Sequence, residues 1–403
     1  MAQVWRDSRW VLLGSAVILT LSLGIRHGFG LFLSPMSTEF GWGREVFSFA
    51  IAIQNLVWGL AQPFAGALAD RYGAGKVVGA GGALYVVGLV CMSFSDSPST
   101  LLMSAGVFIG IGLSGTSFSV ILGVVARALP PEKRSTGMGL ASAAGSFGQF
   151  AMLPGSLGLI QGIGWEKALL VLALFASVII PLVALLKDKP IERQQGDQTM
   201  TQALRAASSS PDFWLLTFGF FVCGFQVVFI GVHLPAYLMD KGLTAQTGTT
   251  VLALIGLFNI FGTYTAGWLG GHLSKPKLLT ALYLLRAVVI VAFVSVPVSN
   301  VTAYLFGMAM GALWLSTVPL TNGVVASVFG VRNLSMLGGL VYLFHQVGAF
   351  LGGWVGGAAY DITGSYDLVW KAAVVLSLIA AAVNWAVREK RVAELSTCVA
   401  DVQ

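Results

Sequence analysis

The stretch GALADRYGAGK, from Gly66 to Lys76, lies between two long apolar segments of the chain. It places Asp70 directly before Arg71, at the point where the first apolar segment ends. An aspartate in this position can cap or pair with the end of a neighbouring helix, while basic side chains anchor a loop to a membrane surface. The stretch therefore predicts a short loop on one face of a membrane, between two spanning helices.

The composition of the whole chain supports a membrane protein. Of its 403 residues, 56% are hydrophobic and 10% are charged, and the mean hydropathy is +0.82. Charged residues make up about one quarter of a soluble domain, so a soluble fold could not cover this much apolar surface. Soluble enzymes, secreted disulfide scaffolds and nucleic-acid-binding domains are excluded. The three cysteines indicate neither a disulfide framework nor a metal cluster.

Apolar stretches recur along the whole chain, separated by short polar breaks. Since one transmembrane helix needs about 20 residues, they predict an all-α membrane protein with twelve transmembrane helices. We number these spans 1 to 12 in chain order. They lie near residues 10–34, 46–70, 77–95, 99–126, 136–160, 166–186, 213–238, 248–270, 278–298, 301–326, 334–359 and 368–387.

The basic residues predict the orientation of these spans. With twelve spans, 17 of the 23 Lys and Arg residues lie on the side that carries both termini, four lie on the other side, and two lie inside spans. Loops that are rich in Lys and Arg stay in the cytoplasm. We therefore expect an integral multi-pass protein of the plasma (bacterial inner) membrane with both termini cytoplasmic.

The two halves of the chain repeat each other at an offset of 200 residues. The tetrapeptide GVVA at residues 123–126 recurs at 323–326, and Gly148 recurs as Gly348. The longest polar stretch separates spans 6 and 7. We expect two pseudo-symmetric six-helix bundles, with a binding site between them near the midplane. The expected boundaries are 1–186 for the first bundle, 187–210 for a cytoplasmic linker, 211–390 for the second bundle and 391–403 for a cytoplasmic tail.

The stretch from Gly66 to Lys76 resembles the loop signature G-x-x-x-D-R-x-G-x-x-[KR] of the major facilitator superfamily. The twelve spans and the central linker of the chain also resemble that family. The matching residues are Gly66, Asp70, Arg71, Gly73 and Lys76. The resemblance covers essentially the entire chain and implies a transporter whose loop latches the outward-open state. In the second half, Gly271 and His272 stand at the Asp and Arg positions, so a second latch is expected to be weak. For Asp70 and Arg71, the alternative interpretation is an ordinary ion pair at a helix end, without a role as a latch.

The charges inside the spans indicate the chemistry of the substrate. All 17 acidic residues fall at span ends, in loops or in tails, whereas Arg26 and Arg286 lie inside spans 1 and 9. A charge inside a bilayer normally has a partner or marks a pathway. These cations have no carboxylate partner within the membrane, and the fork of an Arg side chain matches a carboxylate. We therefore expect an anionic substrate.

Depth and helix identity distinguish the titratable candidates. Arg26 lies roughly 24 Å along span 1, which lines the cavity in the superfamily; pairing with backbone carbonyls is the alternative role. Arg286 lies on span 9, which is peripheral in the superfamily, so it could instead tie its helix to a neighbour. His345, one turn after Tyr342 on span 11, is a candidate ligand or proton carrier, with a satisfied interhelical histidine as the alternative. His27 is the second proton-coupling candidate.

Uncharged polar residues inside the spans complete the set of candidate substrate contacts. They are Gln54, Asn55, Gln149, Asn259, Trp314 and Gln346. Amides commonly bind neighbouring helices inside membranes. We therefore expect only a minority of this set to touch the substrate.

Two segments narrow the resemblance within the superfamily. FGW followed by a polar residue and Arg44, together with HQVGAFLGGWVGGAAYDITGSYDLVW from His345, resemble the monocarboxylate porter and oxalate:formate antiporter group. That resemblance implies transport of small carboxylates with a proton or in exchange. Many of these porters carry an Arg on span 8, where this chain has Asn259. On this interpretation Arg26, Arg286 or His345 supplies the anion contact.

The sequence thus predicts a secondary active transporter of a small organic anion, a monocarboxylate, working by rocker-switch alternating access with a proton or in exchange. An exporter of lipophilic drugs or metabolites is the alternative, which the 25 Phe and 11 Trp residues would suit. The expected partners are the anion, a proton and the lipid bilayer. We expect a monomer that is not an enzyme and that has no cofactor, metal or nucleic-acid partner.

Overall fold

The computed structural model describes residues 2–42, 44–186 and 199–389, and these residues form helices and no strand. The predicted all-α fold class is confirmed. The first half of the predicted linker, residues 187–198, and the whole predicted tail, residues 391–403, lie outside the described residues, as do the side chains of Arg6 and Arg44.

The first half contains spans 1 to 6. Spans 1, 2, 3 and 5 are the helices Ala2–His27, Arg44–Tyr72, Ala74–Ser93 and Pro131–Ile163. The short elements Gly28–Phe32 and Leu33–Phe40 connect spans 1 and 2. Span 4 consists of Pro98–Leu101, the π-helical Leu102–Phe108, Ile109–Thr116 and Phe118–Ala128. Span 6 consists of Trp165–Ser177, Ile179–Leu182 and Val183–Leu185.

The second half contains spans 7 to 12, preceded by the helix Met200–Ser208 at the end of the predicted linker. Spans 7, 8, 9, 11 and 12 are the helices Pro211–Asp240, Ala245–Leu269, Lys275–Val294, Leu334–Thr363 and Asp367–Ala386. Span 10 is broken into Asn300–Leu313 and Thr317–Phe329. The central spans of both halves, 4 and 10, are therefore interrupted near their middle.

Ten helical segments of the described chain are long and apolar enough to cross a membrane. The remaining two predicted spans, 2 and 5, are helices of 29 and 33 residues that are less apolar. Span 2 packs against span 11, and span 5 packs against spans 1 and 8. The side of each helix that packs against protein needs fewer apolar residues than a side that faces lipid.

Matching capping motifs begin spans 4 and 10. Ser97 caps span 4 by accepting a hydrogen bond from the backbone N–H of Thr100, whose side chain accepts one from the backbone N–H of Ser97. Ser299 and Thr302 form the same reciprocal pair at the start of span 10. Such a capping box satisfies two helix-end donors. The same device in corresponding places supports the duplication that the repeated sequence predicts.

Glycines allow close helix contacts within the second half, and one contact gives a test of the packing. A Cβ at Gly224 on span 7 would overlap the carbonyl oxygen of His345, whereas a Cβ at Gly155 on span 5 would meet no atom within 4 Å. We expect Gly224→Ala to lower the thermal unfolding midpoint of the purified protein, through a loss of about 1–3 kcal/mol. Gly155→Ala is the control and should not lower it. Equal midpoints would contradict the packing of spans 7 and 11.

Candidate functional site

The two halves meet along two helix pairs, span 2 with span 11 and span 5 with span 8. A Cβ at Gly139 would lie 2.7 Å from the Cα of Gly267, and a Cβ at Gly339 would lie 2.7 Å from the carbonyl oxygen of Gln62. Both approaches lie toward the end of the bundle at which span 1 begins and span 12 ends. We call this end the terminal face, and the other end the opposite face.

The close contacts between the halves are concentrated toward the terminal face. Gln149 on span 5 neighbours span 8, where a Cβ at Gly256 would lie 3.6 Å from its Cγ. Among the described residues, the hydrogen bonds, ring contacts and close glycine approaches that join the halves lie between the terminal face and the level of Gln149 and Gln346. We infer that the cleft between the halves opens toward the opposite face.

A buried carboxylate joins the halves at the terminal face. The Asp70 side chain is 1% exposed and forms an ion pair with Arg127 at the end of span 4, with 2.7 Å between Oδ1 and Nη1. Its Oδ2 accepts a hydrogen bond of 2.8 Å from the backbone N–H of Met336, in the first turn of span 11. Arg127 also donates to the hydroxyl of Ser335 over 3.3 Å. Asp70 thus caps a helix of the other half, where a negative charge interacts favourably with the helix dipole.

The other residues of the loop signature have different surroundings. Gly66 lies against span 11, where a Cβ would overlap the carbonyl oxygen of Ser335. Gly73 has a φ of 91°, which favours glycine and allows the sharp turn into span 3. The side chains of Arg71 and Lys76 are exposed, and Arg71 lies 5.1 Å from the ring of Tyr72.

The corresponding place in the second half has a different ion pair. Gly271 occupies the position of Asp70, and Ser327 occupies the position of Arg127. Lys275 at the start of span 9 pairs with Glu389 instead, with 2.6 Å between Nζ and Oε1, and also donates to Ser327. This pair lies within the second half. The two loops therefore differ, because among the described residues only the first has an ion pair that is also hydrogen-bonded to the other half.

Arg26 lies near the end of span 1 that faces the cleft opening. Its Nη2 donates a 3.0 Å hydrogen bond to Oδ1 of Asn55 on span 2, and Asn55 donates to the carbonyl oxygen of Ile51. The side chain of Arg26 is partly exposed, and its buried Nε has no hydrogen-bond partner among the described residues. No described carboxylate pairs with it. Arg26 thus keeps hydrogen-bonding capacity and has no carboxylate partner among the described residues.

His27 has a local partner within its own helix. Its Nδ1 makes a 2.6 Å hydrogen bond to the carbonyl oxygen of Leu23, one turn earlier. In this bond the ring nitrogen carries the proton, because a carbonyl oxygen can only accept. The side chain is partly exposed, so Nε2 is the ring nitrogen left for another partner.

His345 lies on span 11 and is 8% exposed. Its Nδ1 is 3.3 Å from Oε1 of Gln346, and its Nε2 has no hydrogen-bond partner among the described residues, although the thiol of Cys223 lies nearby. Its ring packs on Phe220 and Tyr342, with centroids 4.7 and 5.6 Å away. A buried imidazole with a nitrogen to spare can bind or carry a proton.

Arg286 is 1% exposed, and its guanidinium is directed at the break in span 10. Its Nε and Nη2 donate to the carbonyl oxygen of Leu313 over 3.2 and 2.6 Å, and Nη2 also donates to that of Trp314. Its Nη1 lies 3.3 Å from Oε1 of Gln226 on span 7. These are the carbonyls that end the first helix of span 10, where a positive charge is favourable. Arg286 therefore ties span 9 to span 10, which fits the alternative role that the sequence predicts for it.

Two of the candidate amides bind irregular parts of the neighbouring spans. Gln54 donates from Nε2 to the carbonyl oxygen of Ala105, in the π-helical part of span 4, over 2.6 Å. Asn259 accepts at Oδ1 from the backbone N–H of Leu315, in the break of span 10, over 2.9 Å. The side chain of Trp314 is buried in the same break. These contacts fit interhelical support, which the sequence interpretation expects for most of the set.

Gln346 lies where spans 2 and 11 cross. A Cβ at Gly59 would lie 2.7 Å from its Cβ. Gly59 lies one turn, roughly 6 Å, along span 2 from Asn55, the partner of Arg26. Gln346 in turn neighbours His345. Span 2 therefore links the Arg26 side of the cleft to the His345 side.

The sequence interpretation missed two residues of this region. Arg127, the partner of Asp70, directly follows the repeated GVVA, where the second half has Ser327. The difference between Arg127 and Ser327 after an otherwise identical repeat is the sequence feature that could have identified Arg127. Phe118, at the break of span 4, stacks against Tyr342 of the other half with ring centroids 6.0 Å apart. Nothing in the sequence distinguishes it from the other 24 phenylalanines.

Comparisons with known proteins find relatives that cover most of this chain. The sequence model of the Major Facilitator Superfamily matches residues 12–321. An MFS-type transporter, YcxA of Bacillus subtilis, is 25% identical and covers 93% of this chain and 94% of its own length. Monocarboxylate transporter 13 of Rattus norvegicus is 26% identical over 89% of this chain and 83% of its own. The oxalate:formate antiporter of Oxalobacter formigenes is 22% identical over 87% of this chain and 85% of its own.

A solved structure supports the fold. The crystal structure of the fucose:proton symporter FucP of E. coli matches with a TM-score of 0.72, covering 95% of this chain and 99% of that one. The sequence identity is 14%. At this identity the likeness supports the arrangement of the helices and carries no argument about substrate.

Proposed function

The chain belongs to the Major Facilitator Superfamily, and from this we propose that it is a secondary active transporter of a small organic anion, a monocarboxylate, that works by rocker-switch alternating access. The observation that carries the proposal is Arg26, a cation at the cleft with a spare Nε and no described carboxylate partner. A cation left in this state favours an anion as its partner.

The proposed substrate site lies between Arg26 and His345. Arg26 and Asn55 belong to the first half, and His345 belongs to the second, with Gln346 crossing to span 2 between them. A carboxylate accepts hydrogen bonds from a guanidinium in bidentate geometry, and a protonated imidazole is a further donor. A ligand that touches both halves can favour their closure, because it binds the closed cleft more tightly than the open one.

The names of several relatives support a carboxylate. They are monocarboxylate transporters and an oxalate:formate antiporter, at 22–26% identity. We propose that Arg26 binds the carboxylate in this chain, since span 8 contributes Asn259, whose Oδ1 is used by span 10. The candidate amide Gln149, whose Oε1 has no partner among the described residues, is the proposed contact from span 5.

We propose His345 as the site of the coupled proton. An imidazole changes charge near neutral pH, and a proton on Nε2 would add a donor toward the anion. His27 is less suited because its Nδ1 is held by Leu23. Symport and exchange both remain compatible with this site, and the pH dependence of transport distinguishes them.

The terminal face is proposed to be cytoplasmic, because 17 of the 23 basic residues lie on the side of the termini. The described conformation is then outward-open, with Asp70 latching the cytoplasmic side. We further propose a monomer in the plasma (bacterial inner) membrane, since each chain contains both halves of the cleft.

Counterflow in proteoliposomes tests the proposed function. Vesicles are loaded with one unlabelled carboxylate at a time, and entry of labelled acetate, lactate, pyruvate, formate or oxalate is followed. We expect trans-stimulated uptake of at least one monocarboxylate and no uptake of hydrophobic cations. Resistance of cells to lipophilic compounds, without carboxylate exchange, would contradict the proposal and favour the exporter.

The His345→Gln variant tests the proton site. We expect it to retain counterflow at equal pH on both sides but to lose the stimulation that an acidic exterior gives to net uptake, because glutamine can donate a hydrogen bond but cannot take up a proton. His272→Gln, on the exposed loop after span 8, is the matched control and should behave as the unmodified protein. A pH stimulation of unchanged size in His345→Gln would rule out this residue.

A further inference from the structure

One face of span 11 contacts the first half at three successive levels, and His345 lies on the same face one turn farther along. Ser335, Gly338, Tyr342 and His345 are spaced by three or four residues, so they lie on the same face of the helix, roughly one turn apart. His345 belongs to the proposed substrate site. Ser335 belongs to the contact with Arg127 at the terminal face. The levels between them separate the substrate site from the terminal face.

An aromatic contact forms the level below His345. Tyr342 stacks on Phe118 of span 4 with ring centroids 6.0 Å apart, and it meets Phe220 of span 7 edge-on at 5.0 Å. Phe118 is 3% exposed, and so is Tyr342. Because the stacked rings come from different halves, they close the cleft between the substrate site and the terminal face. We call this contact the aromatic floor.

The next level toward the terminal face is polar, and two of its side-chain oxygen atoms have no hydrogen-bond partner among the described residues. Ser119 of span 4 is fully buried, and its Oγ has no hydrogen-bond partner among the described residues. Asn322 of span 10 donates from Nδ2 to the carbonyl oxygen of Val318, but its Oδ1 has no described partner either. Gly338 lies between them, because a Cβ there would lie 2.8 Å from Oδ1 of Asn322 and 3.9 Å from Cβ of Ser119. We call these three residues the polar layer.

An apolar seal would be expected at this level if its only task were to keep the terminal face shut. A buried polar atom without a partner is unfavourable relative to one that is hydrated or bonded. Each unpaired atom of the polar layer therefore raises the free energy of the conformation in which the halves meet. The same atoms gain water or substrate as partners once the halves part at the terminal face.

We propose that Ser119 and Asn322 line the inner half of the transport pathway, and that their unpaired atoms bias the closed terminal face toward opening. This inference rests on the proposed function as far as the pathway is concerned. The bias itself is a property of the chain without substrate. This bias offsets the latch formed by Asp70. The conformations that are closed and open at the terminal face are therefore closer in free energy than the latch alone would make them.

The double variant Ser119→Ala/Asn322→Leu tests this bias, with Ser135→Cys as a reporter. Ser135 on span 5 is 4% exposed, and it is buried against span 8 at the terminal face, where a Cβ at Gly270 would lie 2.6 Å from its Oγ. A maleimide should reach Cys at this position only when that face opens. Cys91 and Cys398 are replaced by Ala, and the buried Cys223 is retained. We expect alkylation, measured without substrate, to slow roughly tenfold.

The matched control is Ser15→Ala/Asn384→Leu. Ser15 and Asn384 are equally buried, and their Oγ and Oδ1 atoms likewise have no described partner, but each packs within a single half. The control should alkylate at the rate of the unmodified protein. Ser119→Ala alone should slow alkylation to a smaller extent, and it covers the case in which Asn322→Leu disturbs folding.

Unchanged or faster alkylation in the Ser119 variants would overturn the proposal. The variants could alkylate more slowly while the unmodified protein shows no carboxylate counterflow. That result would support the bias toward opening and would contradict the proposed substrate. Slower net transport, with unchanged affinity for the outward-facing substrate, is the further expected result once the substrate is known.

Discussion

The Arg26→Gln variant is expected to lose carboxylate transport. Glutamine can still donate to Oδ1 of Asn55, which now receives a 3.0 Å hydrogen bond from Nη2 of Arg26, so the contact between spans 1 and 2 survives. The charge and the fork that would bind a carboxylate are lost. Removing one partner of a buried, hydrogen-bonded charge pair costs about 2–5 kcal/mol. We therefore expect substrate affinity to fall roughly 30-fold to several thousand-fold.

Uptake and counterflow as a function of substrate concentration measure this loss. Lys371→Gln is the matched control, because it removes an exposed positive charge at the start of span 12. Arg26→Lys keeps the charge but not the planar fork, and an intermediate affinity is expected. Normal transport by Arg26→Gln would remove the observation on which the proposed function stands, and it would favour an uncharged lipophilic substrate.

The Asp70→Asn variant is expected to shift the protein toward the conformation that is open at the terminal face. Asparagine can still accept from the backbone N–H of Met336, but the acceptor is neutral, and the favourable charge at the start of span 11 is lost. A hydrogen bond to a charged group contributes about 1.5–3 kcal/mol. The equilibrium should therefore move roughly 10- to 150-fold. Arg127 also loses its ion-pair partner, so the unfolding midpoint should fall.

Alkylation of Ser135→Cys measures this shift and should accelerate in the Asp70→Asn background. The matched control is Glu389→Gln, which breaks the 2.6 Å ion pair with Lys275 at the same face but within the second half. It should lower stability without accelerating alkylation. Equal acceleration in both variants would mean that Asp70 is an ordinary helix-end ion pair and not a latch.

The pattern of apolar residues predicts that spans 4 and 10 exist, but it does not predict that they are broken. Apolar length predicts spans 4 and 10 as single helices, because a break of one to three residues leaves the average hydropathy unchanged. The breaks at Ser117 and at Trp314–Ser316 depend on partners from other helices. Gln62 donates to the carbonyl oxygen of Ser114 over 2.8 Å, and Asn259 accepts from Leu315. Such partners lie more than 50 residues away in the chain.

The candidate site likewise combines features that the sequence predicts with features that only the structure shows. Arg26 and Arg286 are equivalent in the sequence, as arginines inside spans without a nearby acid. In the structure, the guanidinium of Arg286 is bound by carbonyl oxygens of span 10, whereas Arg26 keeps a spare Nε at the cleft. Helix identity within the superfamily favoured Arg26, but the carbonyls that bind Arg286 could not be inferred from the sequence. Their availability follows from the break in span 10.

The sequence by itself determined the all-helical membrane fold, the duplication and the family, because apolar length, repeated tetrapeptides and a loop signature are local properties of the chain. The tertiary structure alone decided what each buried polar group binds. It joined Asp70 to a helix start 266 residues later, and it left Ser119 and Asn322 unpaired on either side of Gly338. Hydrogen bonds form over about 3 Å, so their partners are settled by how the helices pack and not by the order of residues along the chain.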